Sequence, residues 1–245
     1  FCIREAIALV RAIFFAIIFY SWTFLLCPLY VPLMILPRGY FRKATRFWVR
    51  GGFLTMKYGL GITHEIRGLE NIPNGPIMIA SKHQSMWDTQ IYNLIFYDCI
   101  FVLKRSLLAV PLVGWFMWRA GMIAVDRRAG AAAMRKLLRD ARTSVENGHT
   151  IVIFPEGTRM PPGERGCYQP GVAALYKELG LPVVPVALNS GTYWPRRAFK
   201  KRPGCIVLEF LPAIEPGLDR HDFMKELEEQ IETATASLEQ QANLQ

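Results

Sequence analysis

The sequence PIMIASKHQSMWD (residues 76–88) joins an apolar run to a polar interruption and then to the beginning of a helical pattern. A short continuous apolar run is typical of a β-strand that is buried on both faces. The residues that follow, Ile91, Leu94 and Ile95, have the spacing of one face of an α-helix. The stretch therefore predicts a buried strand, a loop and a helix in that order, which is the repeating unit of an α/β sheet.

The same alternation continues along the chain on either side of this stretch. Apolar runs predict strands at 63–67, 76–80, 99–103, 122–125, 151–154, 183–188 and 205–210. Helical patterns predict helices at 88–97, 129–147 and 171–179, and an amphipathic helix with an acidic outer face from residue 219 onward. We therefore predict an α/β fold with a mostly parallel mixed sheet that is covered by helices.

The N-terminal part of the chain is apolar enough to enter a membrane. No charged residue occurs from residue 12 to residue 36, which is long enough for one bilayer crossing. Pro28 and Pro32 interrupt this stretch, and a proline inside a helix removes a hydrogen bond. Two interpretations remain open: a spanning helix near 6–26, or two shorter helices that are hinged around 27–32 and stay within one leaflet.

Either interpretation divides the chain in two. We predict that residues 1–50 form a helical membrane anchor and that residues 51–245 form a catalytic domain, which includes the C-terminal amphipathic helix. A basic flank without acidic residues follows the apolar stretch: Arg38, Arg42, Lys43, Arg46 and Arg50. Such a flank favours the cytoplasmic side of a membrane and attracts anionic lipids.

The net charge of +9 narrows the class of partner. A strongly basic protein usually binds nucleic acid, a membrane or a phosphorylated ligand. The chain has no nucleic-acid motif, and its aromatic residues cluster in the apolar N-terminal part, so we expect membrane lipids and no nucleic acid as partners. The five cysteines show no close pairing, which fits reduced thiols better than a disulfide framework.

His83 and Asp88 are the first candidates for chemistry. On a regular helix, five positions would separate their side chains by about 140°. They can meet only if His83 lies on the loop and Asp88 already lies in the helix, which the sequence permits. A carboxylate then holds one imidazole N–H while the other ring nitrogen accepts a proton. The alternatives are a histidine that bonds only to backbone, and a Ser85 nucleophile, which lacks the glycines of a nucleophile elbow.

The second candidate motif is FPEGTR (residues 154–159), at the end of a predicted strand. In open α/β sheets, ligands bind at the carboxyl ends of the strands. Gly157 lets the backbone approach a ligand closely, and the planar fork of Arg159 suits a phosphate. Thr158 adds a hydroxyl, and Glu156 would orient the imidazole or bind a substrate hydroxyl.

Two further predicted strands end in basic residues, namely Lys104 and Arg127. Together with Arg159 they predict one site for a polyanion at the edge of the sheet. A basic run at residues 196–202 is interpreted as a solvated or lipid-facing surface, or as a docking surface for an acidic carrier protein.

Taken in order, these motifs resemble the four blocks of the glycerolipid acyltransferase family, and are closest to its 1-acyl-sn-glycerol-3-phosphate (lysophosphatidic acid) acyltransferases. The resembling blocks are residues 83–88, 121–127, 154–159 and 183–188. The second block departs from the family pattern, because Ala124 stands where the family usually has phenylalanine. The resemblance covers the part of the chain between residues 60 and 215.

The resemblance implies transfer of an acyl group from a thioester to the sn-2 hydroxyl of 1-acylglycerol-3-phosphate, which gives phosphatidic acid. It implies that His83 is the catalytic base and that Asp88 orients it. It also implies that the phosphate is bound by Lys104, Arg127 and Arg159, and that the glycerol is contacted by Glu156, Gly157 and Thr158. It implies no metal and no cofactor, with acyl-coenzyme A or acyl carrier protein as the donor.

The family's bacterial members have a two-helix N-terminal membrane motif, so the resemblance favours the hinged interpretation and the cytoplasmic face of a bacterial inner membrane. Two alternatives remain. The first is an acyltransferase of the same family that acts on another lysophospholipid or on glycerol-3-phosphate. The second is a non-catalytic protein that binds anionic lipid and has no requirement for His83 or Asp88.

Overall fold

Seven β-strands are present in a computed structural model that describes residues 2–244. Each coincides with one of the predicted apolar runs, and the ends differ by at most two residues. The strands are β1 (Ile62–Arg67), β2 (Met78–Ser81), β3 (Cys99–Lys104), β4 (Ile123–Val125), β5 (Thr150–Ile153), β6 (Val183–Leu188) and β7 (Gly204–Phe210).

The strands form one sheet in the order β1-β7-β6-β2-β5-β3-β4. All neighbouring strands are parallel except β6 and β7, which are antiparallel. The predicted α/β fold with a mostly parallel mixed sheet is therefore confirmed. Because β2, β5, β3 and β4 are parallel neighbours, their carboxyl ends lie along one edge of the sheet.

Eight α-helices of the described chain surround the sheet. They are α1 (Cys2–Tyr30), α2 (Arg38–Thr55), α3 (Trp87–Ile95), α4 (Val113–Arg119), α5 (Gly130–Glu146), α6 (Gly171–Leu179), α7 (Ser190–Tyr193) and α8 (Arg220–Asn243). Side chains of α1, α2 and α3 share one hydrophobic core with the sheet, and those of α5, α6 and α8 share a second core. The sheet is therefore covered on both faces, which is why its strands read as continuous apolar runs.

The N-terminal segment is a helical hairpin. Helix α1 passes through Pro28, which lies in its last turn, and a 3₁₀ turn at Pro32–Met34 leads into α2. The indole of Trp22 donates to the carbonyl of Trp48 at 3.2 Å, so α2 packs back along α1. The reversal lies at residues 31–37, so it overlaps the end of the hinge that the two-helix interpretation places around 27–32.

One helix of the described chain, Ala6–Tyr30, is long and apolar enough to cross a membrane by length and composition, with a mean hydropathy of 2.0. This finding is compatible with membrane association. Phe15 and Phe19 pack into the first core, whereas Ile17 and Phe24 are exposed. The predicted boundary between residues 50 and 51 falls inside α2, and the division into anchor and catalytic domain stays a prediction.

The C-terminal helix differs from its prediction in one respect. Its apolar positions are buried as expected, including Phe223 and Leu227. The predicted acidic outer face is present, because most of the acidic residues are exposed, but Glu232 and Glu239 are buried beside the loop that follows β2. Both carboxylates find hydrogen-bond donors there, which compensates for their loss of water.

Candidate functional site

The loop between β2 and α3 carries the first half of the site. His83 lies on this loop and Asp88 lies in the first turn of α3, so the two side chains meet. Nδ1 of His83 is 2.9 Å from Oδ2 of Asp88. With Nδ1 engaged by the carboxylate, Nε2 is the ring nitrogen that remains for proton transfer.

The carboxylate of Asp88 is fully buried and receives four donors. Oδ2 accepts from the imidazole and from the backbone N–H groups of Gln84 at 2.7 Å and Ser85 at 2.8 Å, and Oδ1 accepts from Oγ of Ser190 at 2.5 Å. Its place at the N-terminus of a helix further stabilises its negative charge. Asp88 is therefore held rigidly beneath the imidazole.

The ring of His83 is fixed on its face as well as at its edge. It stacks on Phe154 with 4.1 Å between the ring centroids and an interplanar angle of 21°. Its carbonyl oxygen accepts from the N–H of Met160 at 2.8 Å. The side chain is 14% exposed, so the ring reaches solvent while its orientation is set by neighbours.

Beneath His83 lies a buried charge cluster that includes Glu156. Nζ of Lys82 donates to Oε1 of Glu156 at 2.7 Å, to the carboxylate of Glu232 at 2.9 Å and to the carbonyl of Glu164 at 3.1 Å. Burial raises the pKa of Glu156; Lys82 lowers it in part, and Glu232 raises it further. Oε2 of Glu156 also accepts from the N–H of His83 at 3.4 Å. These contacts of Glu156 are made with protein groups, whereas the resemblance implies a contact with the glycerol of the substrate.

The turn after β5 presents the remaining residues of the FPEGTR motif. Gly157 adopts a φ of +63°, a conformation that favours glycine, and its N–H donates to the carbonyl of Phe154. Thr158 is exposed and Arg159 is half-buried. The turn thus directs a hydroxyl and a guanidinium to the same edge of the sheet as the imidazole.

Arg196 joins this turn from the segment after α7. Its Nη1 lies 3.5 Å from Oγ1 of Thr158 and 3.3 Å from the carbonyl of Arg159. Burial lowers the pKa of Arg159, the charges of Arg196 and Arg197 lower it further, and Asp88 raises it. An anionic ligand would stabilise the charged guanidinium groups of this cluster, because it would accept charge-assisted hydrogen bonds from them.

Lys104 and Arg127 follow the neighbouring strands at the same edge. Lys104 is exposed at the end of β3, which pairs with β5, and its backbone lies opposite Val125 of β4. Arg127 begins the 3₁₀ turn after β4, and its side chain lies outside the described part of the chain. The sheet topology therefore places both positions on the predicted edge, and their contact with a phosphate stays a prediction.

The alternative of a Ser85 nucleophile finds no support in the geometry. Ser85 is fully buried, its N–H is bonded to Asp88, and its hydroxyl accepts from the N–H of Trp87 at 3.3 Å. Nδ1 of His83 is hydrogen-bonded to Asp88 and not to the hydroxyl of Ser85.

One group of possible metal ligands lies close together in the described chain. It comprises Asp219, His221 and Asp222, all exposed at the start of α8, where Asp219 caps the helix through the N–H of Asp222. The helix cap accounts for the proximity of these side chains, which lie outside the motifs described above. The expectation that no metal and no cofactor takes part is left as a prediction.

Three comparisons place this site among known proteins. A family model described as acyltransferase matches residues 63–189. A 1-acyl-sn-glycerol-3-phosphate acyltransferase of Pseudomonas aeruginosa is 41% identical over 181 residues, which cover 74% of this chain and 70% of the relative. A human 1-acyl-sn-glycerol-3-phosphate acyltransferase alpha is 30% identical over 181 residues, which cover 72% of this chain and 63% of the relative.

A solved structure shares the fold. The crystal structure of the 1-acyl-sn-glycerophosphate (LPA) acyltransferase PlsC from Thermotoga maritima matches with a TM-score of 0.75 at 23% identity, and the match covers 94% of this chain and 96% of that chain. The range of this chain that the family model matches includes His83, Asp88 and the FPEGTR turn. On the strength of that match and of the bacterial relative, the chain belongs to the acyltransferase family.

Proposed function

We propose that this enzyme transfers an acyl group from an acyl thioester to the sn-2 hydroxyl of 1-acyl-sn-glycerol-3-phosphate and so produces phosphatidic acid. The observation that carries the proposal is the pairing of His83 with Asp88 at the carboxyl end of β2, next to a guanidinium cluster. The names of the relatives support the same reaction.

In the proposed step, the sn-2 oxygen attacks the carbonyl carbon of the thioester while its proton moves to Nε2 of His83. An alcohol is too weak an acid to ionise first, so proton transfer accompanies the attack. The carbon–sulfur bond then breaks, and the departing thiolate takes up the proton from the imidazolium. Asp88 stabilises the imidazolium while it exists.

The phosphate of the acceptor is proposed to lie against Arg159, with Lys104 and Arg127 on the neighbouring strand ends. Arg159 lies close enough to the catalytic pair for the charge of Asp88 to act on its guanidinium. Its planar fork suits a phosphate, whose oxygens accept two parallel N–H bonds. Gly157 and Thr158 would then face the glycerol, since they belong to the same turn.

The donor is proposed to be acyl-coenzyme A or acyl carrier protein, and the location to be the cytoplasmic face of a membrane, in bacteria the inner membrane. The apolar helix α1 supports membrane association, and the basic residues of α2 support the side. No metal or cofactor is required, because a thioester is already activated for attack.

The test compares the parent with His83→Ala and with His221→Ala, which removes an exposed histidine at the start of α8. Membranes that carry each protein receive labelled 1-acylglycerol-3-phosphate and either donor, and phosphatidic acid is separated by thin-layer chromatography. We expect product from the parent and from His221→Ala, and a loss of about 10²-fold or more in His83→Ala.

Equal product from all three proteins would remove His83 from the mechanism. Absence of product from the parent with both donors would favour another acceptor, which a panel of lysophospholipids and glycerol-3-phosphate would identify. Failure of the whole panel would favour the alternative of a non-catalytic lipid-binding protein.

A further inference from the structure

Helix α8 lies beyond the part of the chain that the acyltransferase family model matches, which ends at residue 189. Most of its acidic residues are exposed, but Glu232 and Glu239 are 4% and 9% exposed. They are seven residues apart, which is two helical turns, so they lie on the same side of α8. Both reach the loop between β2 and α3 that carries His83.

Glu239 bonds to the loop on the C-terminal side of His83. Its Oε1 accepts from Nε2 of Gln84 at 2.5 Å, and its Oε2 accepts from the N–H of Gly163 at 2.8 Å. Oε1 of Gln84 in turn accepts from the N–H of Gly191 at 3.0 Å. One carboxylate therefore joins the His83 loop to the segment that follows the FPEGTR turn.

Glu232 bonds to the loop on the N-terminal side of His83. Its two oxygens both lie 2.9 Å from Nζ of Lys82, and its Oε1 also accepts from the hydroxyl of Tyr168 at 3.0 Å. Lys82 is 1% exposed, and all three of its N–H groups have acceptors in this cluster. Glu232 is therefore one of two carboxylates that hold the ammonium group of Lys82.

We propose that α8 is a positioning element of the acyltransferase site, in which Glu239 and Glu232 hold Gln84 and Lys82 and thereby fix the imidazole of His83 between them. This inference rests on the proposed function. Neither glutamate touches the reacting atoms; each acts through the residue next to the base.

The physical reason is that a general base works only at a defined distance from the hydroxyl that it deprotonates. A displacement of about 1 Å can cost roughly 10²-fold in rate. The backbone of His83 continues directly into Lys82 and Gln84, so a shift of either neighbour moves the ring. Phe154 and Asp88 hold the ring itself, and α8 holds the chain on which the ring is carried.

The test uses Glu239→Gln, because its amide nitrogen cannot accept from a donor, and one of the two bonds is lost. Glu229→Gln is the matched control: it makes the same chemical change on an exposed face of α8. For the parent and both variants, kcat and KM are measured with 1-acylglycerol-3-phosphate and acyl-coenzyme A. We expect kcat to fall by about tenfold or more in Glu239→Gln, with KM changed by less than about threefold, and the control to match the parent.

A charge-neutral exchange provides the rescue. In the double variant Gln84→Glu/Glu239→Gln, the new amide donates to the new carboxylate, its oxygen accepts from Gly163, and the carboxylate still accepts from Gly191. All three bonds are thus restored: the bond between positions 84 and 239 has its donor and acceptor exchanged, and the two glycine N–H groups donate as before. We expect kcat to return to within about threefold of the parent, which a general loss of stability would not allow.

Glu232→Gln tests the other side of the loop. The glutamine oxygen still accepts from Lys82 or Tyr168, but not from both with full strength, and Glu156 continues to pair with Lys82. We therefore expect a smaller fall in kcat than for Glu239→Gln, again with little change in KM. A KM effect without a kcat effect would assign Glu232 to substrate binding and overturn the positioning role.

Hydrogen–deuterium exchange of the full-length protein in lipid–detergent micelles gives a readout that does not depend on turnover. The positioning role predicts faster exchange in peptides covering residues 81–88 of Glu239→Gln, unchanged exchange in α5, and recovery in the double variant. Unchanged exchange at 81–88, a uniform increase through the chain, or a failed rescue would overturn it. If the parent made no phosphatidic acid, the proposed function would fail, while the exchange pattern would still decide the role of α8.

Discussion

At the scale of single residues, the carboxylate of Asp88 serves both the imidazole and the loop that carries it. Its Oδ2 accepts from Nδ1 of His83 and also from the backbone N–H groups of Gln84 and Ser85. Because one oxygen binds both the ring and the backbone, ring orientation and loop conformation are fixed together. The charge of this group can nevertheless be separated from its geometry by substitution.

Asp88→Asn makes that separation. The amide oxygen still accepts from the loop, and the amide nitrogen can donate to Ser190, but the charge that stabilises an imidazolium is lost. We expect kcat to fall by about 10²–10⁴-fold with KM near that of the parent. Initial rates and thermal unfolding of both proteins check this, and an unchanged kcat in a folded variant would contradict it.

Glu156 offers a prediction about pH and stability. Burial raises the pKa of Glu156, so the protonated carboxyl is favoured more in the folded state than in the unfolded state. The contribution of this group to folding stability is therefore fully present at pH values below the ordinary pKa of a glutamate, and it is lost as the pH rises. Glu156→Gln stays neutral, while Glu232 still pairs with Lys82. We therefore expect the variant to gain stability relative to the parent from about pH 5 to about pH 8. Thermal unfolding at both pH values measures this, and a pH-independent difference would refute it.

At the scale of elements, the α1–α2 hairpin depends on one close approach. A Cβ at Gly51 would lie 2.5 Å from the ring of Trp22, so the two helices touch through a residue without a side chain. Trp48 strengthens the same contact, because its indole donates to Oγ1 of Thr23 at 3.0 Å. The hairpin is thus a packed unit, and α2 joins it to the domain through the first core.

Gly51→Ala is expected to push α1 away from α2, with an overpacking cost of about 1–3 kcal/mol in unfolding free energy. The matched control is Gly39→Ala in the same helix, whose Cβ would meet only the hydroxyl of Tyr97 at 3.8 Å. Denaturant unfolding in micelles compares both variants with the parent. Equal stability of the two variants would show that the contact is not tight in solution.

At the scale of the whole molecule, helix α4 extends the apolar surface of the hairpin. Arg119 at the end of α4 donates to the carbonyl of Met34 at 2.6 Å and also to that of Leu36, which joins α4 to the turn between α1 and α2. Ile35 in that turn is 89% exposed, and Trp118 in α4 is 68% exposed. Large exposed apolar side chains on two joined elements indicate a surface that meets a membrane or a partner.

We predict that this surface binds lipid. The double variant Ile35→Ser/Trp118→Ser should sediment with vesicles of anionic and neutral phospholipid about tenfold less than the parent, because two large apolar side chains no longer enter the bilayer. The control, Leu69→Ser, changes an exposed leucine on the turn after β1. Equal sedimentation of all three proteins would assign the surface another role.

Much of this architecture could be predicted from the sequence, because its strands are covered on both faces and its helices have one apolar side. The meeting of His83 and Asp88 could also be anticipated, since only a loop followed by a helix brings positions five apart together. A parallel sheet already predicts that Lys104 and Arg159 lie on one edge, and the observed strand order shows that the strands before them are neighbours.

The contacts of α8 could not be predicted in this way. Glu232 bonds to Lys82, which lies 150 positions earlier in the sequence. A local sequence pattern does not predict contacts between residues so far apart in the chain. Charged residues are rarely buried, so an amphipathic pattern assigns Glu232 and Glu239 to the outer face by default. Arg196 was missed for a related reason: it lies in a basic run whose composition is that of a solvated surface, whereas its contact with Thr158 depends on the fold.

The pairing of β1 with β7 has a consequence for biosynthesis. Ile62 lies opposite Gly204, so β1 leaves the ribosome before the other described strands and has no partner until β7 has been made. At about 5–20 residues per second, translation of the intervening chain takes on the order of ten seconds. During that interval the N-terminal helices can already reach a bilayer, and α8 has yet to be synthesised. We expect a nascent chain to be bound to the membrane before it is active, with catalysis beginning only after α8 has docked.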